Sequence, residues 1–215
     1  MRAVFSKSSA DLVFTASNLC CVRQDRILFE AVNLHLAAGQ LLQIGGQNGA
    51  GKSSLLRILA GLAQPDDGIV QWHGQPISDS DFSQQLCFIG HLSGIQPQLT
   101  ALEHLEFWQA SFGLLPTDGY QVLATLGLAG LEDIPCQLLS AGQQRRVSLA
   151  RLWLTDRPLW ILDEPFTALD QSAIGLLQHK FTEQLAAGGS IILTTHQPLS
   201  QHFPAAQRLE LAYRW

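Results

Sequence analysis

Short apolar runs rich in Val, Ile, Leu and Phe occur at Leu41–Ile44, Leu86–Ile89, Leu159–Leu162 and Ile191–Leu193, with longer helical patterns between them. Runs this short that show no polar alternation predict strands buried on both faces, and their spacing predicts a mainly parallel sheet wrapped by helices. Each run ends in residues with chemical potential: Gly45-Gly46, Gly90-His91, Asp163-Glu164 and Thr194-Thr195-His196. Ligands of such sheets bind beyond the carboxyl ends of the strands, so the four ends are expected to converge on one site.

Two strand-like stretches, Leu12–Val22 and Ile27–Leu36, flank Arg23 to Arg26 and predict an antiparallel side sheet. Between His91 and Ser140 the pattern turns helical, with Leu102, Leu105, Glu106 and Trp108 in one segment and Tyr120, Leu123, Ala124 and Leu126 in another. Gly113, Pro116, Gly127, Gly130 and Pro135 punctuate it. The expected organisation is a single domain over residues 1–215, with a helical subdomain inserted over about 92–145.

Composition narrows the class. A chain of 215 residues, 47% hydrophobic, can bury roughly 70% of its unfolded surface in one substantial core. Thirteen Lys and Arg against eighteen Asp and Glu, scattered without a stripe, argue against a nucleic-acid partner. Cys20, Cys21, Cys87 and Cys136 show no C-x-x-C spacing and read as free thiols in a reducing compartment. Arg2 and Lys7 suggest a leader, but Ser6, Ser8, Ser9 and Asp11 interrupt any apolar stretch long enough for one. No window approaches 18 uninterrupted apolar residues, so any membrane role needs another subunit to span the bilayer.

The run Gly46-Gln47-Asn48-Gly49-Ala50-Gly51-Lys52-Ser53 fits G-x-x-x-x-G-K-[ST], after a strand and before a helical pattern from Ser54 to Leu62. Such a loop lets successive backbone N–H groups face phosphate oxygens, with the positive end of the following helix behind them. Nucleotide contacts are therefore expected from the whole loop and Ser54, with Lys52 on the β- and γ-phosphates and Ser53 on Mg²⁺. The competing reading is a glycine turn with a surface lysine, which matches the pattern by chance in on the order of one in a hundred chains this long.

Leu159–Leu162 delivers Asp163 and Glu164 to a strand end, and Pro165 then takes the chain out of the sheet. Adjacent carboxylates there are costly without a cation. Asp163 is expected to hold Mg²⁺ and Glu164 to activate an attacking water; the competing reading, for the pair alone, is a solvated acidic turn after a strand. His196 ends the last run, where an imidazole could contact the γ-phosphate. His91 ends another, with a nucleotide or metal role and a structural one both open. His35, His73, His104, His179 and His202 lack ligand spacing and are expected on the surface or partly buried.

Together Gly46 to Ser53, Leu139-Ser140-Ala141-Gly142-Gln143, Asp163-Glu164, Ala168-Leu169-Asp170 and His196 resemble the nucleotide-binding subunits of ATP-binding-cassette (ABC) transporters. The resemblance covers nearly the whole chain. It implies a P-loop ATPase core that dimerises with a second copy of itself around two ATP molecules, with Lys52, Glu164 and His196 in the chemistry and Asp170 linking it to the dimer interface. Ser140, Gly142 and Gln143 would bind the γ-phosphate held by the other copy, from the start of a helix running about Gln143 to Trp153; Ala141 stands where the family has glycine. The alternative for that segment is an ordinary N-capped helix with Arg145, Arg146 and Arg151 in solvent.

Two longer stretches are similar to ATP-binding subunits of cytochrome c maturation systems: Asp133 through Leu154, and Leu159 through Asp170 with Thr194 to Leu199. That similarity implies a CcmB-like membrane subunit, further cytochrome c maturation subunits, and a peripheral place on the cytoplasmic side of the bacterial inner membrane. ATP hydrolysis would then drive haem export or release of a haem chaperone. A soluble ABC ATPase of translation or DNA repair is the alternative, though it would usually show two cassettes or a long coiled-coil insertion. A non-catalytic nucleotide-binding module would show degraded carboxylate or signature motifs. Two positions depart from the wider family. Arg23, about 23 residues before Gly46, stands where an aromatic ring usually meets adenine, and a guanidinium can stack there too. His91 aligns with a glutamine that touches Mg²⁺ and the membrane partner, so metal contact there is open, while the loop from His91 to Thr100 is the candidate relay.

Overall fold

The computed structural model describes residues 12–79, 81–113, 117–197, 199 and 201–213. The stretch Arg2 to Asp11, weighed against a leader, and Pro116 lie outside them. Strands β1 (Leu12–Arg23) and β2 (Arg26–Ala37) pair antiparallel across Gln24 and Asp25, whose φ values of 51° and 62° give the left-handed turn that suits strand twist. Next come β3 (Leu41–Gly46), α1 (Lys52–Leu59), β4 (Asp67–Trp72), β5 (Gln75–Pro76), α2 (Phe82–Gln85) and β6 (Leu86–Ile89). The helical lobe holds α3 (Ala101–Phe112), α4 (Gly119–Thr125), α5 (Ala141–Leu149) and α6 (Arg151–Leu154). The chain returns through β7 (Leu159–Asp163), α7 (Gln171–Ala186), β8 (Ser190–Thr194) and β9 (Gln207–Leu211).

One sheet runs β2-β1-β4-β5 and is antiparallel; the other runs β6-β7-β8-β3-β9 and is parallel throughout. Side-chain alternation in β7 divides the core between the two faces of the parallel sheet. Leu159 and Ile161 join Phe14, Leu36, Ile44, Leu55 and Ile192 between the two sheets and α1. Trp160 and Leu162 face Phe166, Leu177 and Phe181 beneath α7. Phe181 is fully buried among the rings of Trp160, Phe166 and Phe203. Phe181→Ala is expected to cost about 3–5 kcal/mol, read as a lower urea midpoint with an unchanged slope.

Three local expectations are corrected. The helix after the phosphate loop spans Lys52–Leu59 rather than Ser54 to Leu62, because Gly51, at φ 95°, turns the chain directly into it. The helix after Leu139 starts at Ala141 and turns at Ala150, because the Ser140 hydroxyl and the Gln143 side chain form a reciprocal capping box that sets the first turn. His104, expected at or near the surface, is 1% exposed and stacked on Trp108, and its burial lowers its pKa.

Candidate functional site

The phosphate loop is shaped by close backbone approach. A Cβ at Gly46, where φ is 134°, would lie 2.7 Å from the Leu211 carbonyl, so β9 holds the loop's first glycine in place. Gly49 and Gly51 also have positive φ, and no side chain caps α1, which leaves its first amides for an anion. Lys52 curls back over the loop, its Nζ donating to the carbonyls of Gly46 (2.7 Å) and Gln47 (3.2 Å). Ala50 is buried and donates its N–H to Gln47, tightening the turn.

The strand ends meet beside this loop. Asp163 is 5% exposed, and its carboxylate accepts from Ser53 Oγ at 2.7 Å and from Thr194 Oγ1 at 2.6 Å, joining α1, β7 and β8. A hydroxyl and a carboxylate this close are hard oxygen donors suited to Mg²⁺, which takes few protein ligands and completes its shell with water and phosphate. Glu164 has φ 48°, its N–H donates to Thr194 Oγ1 (2.9 Å), and its Oε1 is buried without a hydrogen bond, 3.5 Å from His196 Nε2. A buried carboxylate oxygen left open next to a phosphate loop is available to a proton donor such as water. Asn48, Gly49, Ser53, Ser54, His91, Asp163, Glu164 and His196 line one cleft of about 570 Å³, so ends of β3, β6, β7 and β8 converge as their pattern predicts.

Ser140, Gly142 and Gln143 are not among the residues lining this cleft. Ser140 is exposed at the amino end of α5, and a Cβ on Gly142 would come 2.7 Å from the Ala168 carbonyl. The alternative for this helix, three arginines in solvent, does not hold for Arg145, which is 7% exposed, or for Arg151, which is half-buried. Arg146, also half-buried, lies 3.3 Å from Asp170. Arg23 turns to Asp66 (3.3 Å), whereas Arg26 stacks over Tyr213 at 4.3 Å and reaches towards the Gly49 carbonyl. The four cysteines are free, and burial pushes the Cys87 thiol up to about 11, so it stays protonated and unreactive.

The loop from His91 to Thr100 is fastened to the lobe along its length. The Ser93 carbonyl accepts from Ser148 Oγ (2.8 Å) and Arg151 Nη2 (3.1 Å), and His104 Nε2 lies 3.2 Å from both the N–H and the carbonyl of Gln96. The N–H groups of Gln137 and Cys136 donate to the carbonyls of Pro97 and Leu99. Arg151 also stacks over Trp108 at 4.9 Å.

The profile of the ABC transporter family matches residues 29–167, which spans the phosphate loop, the helical lobe and the carboxylate strand. The chain belongs to the ABC transporter family. Its similar relatives are cytochrome c biogenesis ATP-binding export proteins CcmA. The one from Idiomarina loihiensis is 51% identical over 93% of this chain and 92% of the relative. That from Yersinia pestis is 50% identical over 86% of each, and that from Vibrio cholerae 47% identical over 90% and 96%. Among solved structures, an ATP-binding subunit of an ABC transporter superposes with a TM-score of 0.82 at 25% identity, covering 94% of this chain and 88% of that one. A dimeric ATP-binding cassette in a post-hydrolysis state with ADP and Pi shares the fold, with a TM-score of 0.77 at 23% identity over 94% and 97%. As an ABC ATPase, the chain binds nucleotide and is the ATP-hydrolysing subunit of a transporter. Among the described residues, no helix is long and apolar enough to cross a membrane.

Two contributors were not assigned a place at the site from sequence: Arg145 and the Arg26–Tyr213 pair. Thr194 was noted as part of a strand end, and its register with Asp163 brings their side chains together.

Proposed function

We propose that this chain powers a membrane complex for c-type cytochrome biogenesis, coupling ATP hydrolysis to haem export or release of a haem chaperone. The observation carrying the catalytic part is the open Oε1 of Glu164 beside the Ser53–Asp163 pair. The process is supported by relatives about half identical over roughly nine-tenths of the chain.

Residues 1–215 act as one nucleotide-binding domain, with a helical subdomain over about 92–145. The loop amides from Gly46 to Ser54 and the Lys52 ammonium bind the phosphates of ATP, and Ser53 and Asp163 hold Mg²⁺. When bound, Mg²⁺ neutralises charge on the β- and γ-phosphates. Glu164 accepts a proton from water as the water oxygen attacks the γ-phosphorus, the bond from that phosphorus to the β-phosphate oxygen breaks, ADP and inorganic phosphate leave, and His196 contacts the γ-phosphate. Ser140, with the amides of Gly142 and Gln143, binds the γ-phosphate of ATP held by a second copy, and Asp170 links the chemistry to that interface. Ser140 is exposed and Gly142 and Gln143 are partly exposed at a capped helix start, away from their own chain's cleft, which favours this sharing.

The membrane subunit is CcmB-like, with further cytochrome c maturation subunits, on the cytoplasmic side of the inner membrane. Fractionation tests the assembly. The chain is expected in the membrane fraction when a CcmB-like subunit is coexpressed and in the soluble fraction without it. A soluble distribution in both would favour an ABC ATPase of translation or DNA repair.

A further inference from the structure

Helix α5 carries a buried arginine that reaches the end of β7. Arg145, Ser148 and Arg151 follow at three-residue spacing, and all three side chains meet main-chain carbonyls rather than solvent. Arg145 Nη2 donates to the carbonyls of Asp163 (2.9 Å) and Glu164 (2.8 Å), and Nη1 donates to that of Gly90 (3.4 Å). These carbonyls belong to the ends of β7 and β6, so one side chain of the lobe ties together two strand ends of the core. Beside it a groove of about 290 Å³, lined by His91, Leu92, Ser93, Gln144 and Ala168, separates lobe from core.

Glu164 is the residue this contact bears on. At φ 48° its backbone occupies a region that non-glycine residues disfavour, so it stays there only while its surroundings hold it. Its N–H is held by the Thr194 hydroxyl and its carbonyl by Arg145, which fixes the peptide on both sides of the Cα that carries the carboxylate. A planar guanidinium can serve neighbouring carbonyls in one rigid arrangement, whereas an ammonium is a mobile point donor. Burial, ahead of repulsion from Arg151, lowers the Arg145 pKa, but a guanidinium remains charged at neutral pH.

We propose that Arg145 is a positioning residue for hydrolysis: it sets the backbone of Glu164 and makes that setting depend on the angle of α5. The proposal rests on the reading of Glu164 as the group that activates water. Ser140 caps the same helix, so the element that would present Ser140 to the ATP of a second copy reaches, through Arg145 five residues on, the peptide of this chain's own Glu164. A tilt of α5 on dimer closure is thereby transmitted to the catalytic carboxylate.

The test is ATP turnover by the full chain assembled with its membrane subunit, with ATP affinity measured separately. R145Q is expected to lower kcat roughly 10- to 100-fold, the cost of a small misplacement, with KM and ATP Kd changed less than about twofold. R145K should show the same pattern at smaller amplitude. In single-turnover assays of E164Q, adding R145Q should cost less than about twofold more, because the group it positions is already gone. Unchanged kcat in R145Q, a parallel loss of ATP affinity, or a full repeat of the loss in the E164Q background would each overturn the proposal. If R145Q fails to accumulate, R145K decides: a lower kcat at unchanged Kd carries the proposal, and unchanged kcat ends it. Wild-type turnover in E164Q alone would instead remove the underlying reading of Glu164.

Discussion

Glu164→Gln is expected to slow ATP turnover by roughly 10²- to 10⁴-fold, the range for losing a general base, while ATP binding changes less than about twofold. The substitution keeps size and shape but removes the proton acceptor. It should leave the fold intact, because the hydrogen bonds of Glu164 to Thr194 and Arg145 are made by its backbone, and its Oε1 has only the exposed His196 ring nearby, at 3.5 Å. ATP then binds but is not consumed, so the protein should accumulate as a nucleotide-bound dimer on size-exclusion chromatography. In cells, haem delivery to the periplasm and to its acceptor protein should fall with turnover. Turnover at the wild-type rate would take Glu164 out of its role. Slow turnover with normal delivery at both points would separate the ATPase from haem.

Lys52→Ala should fail at the opposite step. Its ammonium is held by two loop carbonyls, and on the proposed reading it gives charge-assisted hydrogen bonds to the phosphates of ATP. Losing one such bond costs about 1.5–3 kcal/mol, so ATP Kd should rise by roughly 10- to 150-fold. Calorimetric titration separates the two variants: Glu164→Gln should bind and stall, and Lys52→Ala should bind poorly. A Kd within twofold of wild type would place the lysine away from phosphate. Melting temperature should barely move, because the carbonyls that Lys52 releases border the cleft and can turn to water.

The four strands that build the site were legible because burial on both faces leaves an unbroken apolar run. Leu159–Leu162 is the clearest case, with every residue of β7 buried. β9 was missed because it is an edge strand in which Gln207, Arg208 and Glu210 face outward or sideways, so its pattern reads as polar chain. β4 was missed for a similar reason: Asp67, Gly68 and Gln71 mask a strand that pairs with β1. Residues of the loop, the carboxylate pair and His196 could be picked out as candidates because each stands in a short local pattern, and the structure brings them to one cleft. Arg145 was weighed as a solvent-facing charge because its partners are backbone carbonyls 18 and 19 residues on and 55 residues back, which no side-chain pattern encodes. Arg23 shows the same limit: it pairs with Asp66 while Arg26, its partner in register, lies beside the loop, and the hairpin geometry sets which arginine goes where.

The fastening of the loop from His91 to Thr100 has a mechanical consequence. A segment with Ser93, Gln96, Pro97 and Leu99 all anchored to the lobe cannot flex as a free tether. It packs with α3 and α5 as one block, and the chain joins that block to the end of β6 through Gly90-His91, one strand from the carboxylates.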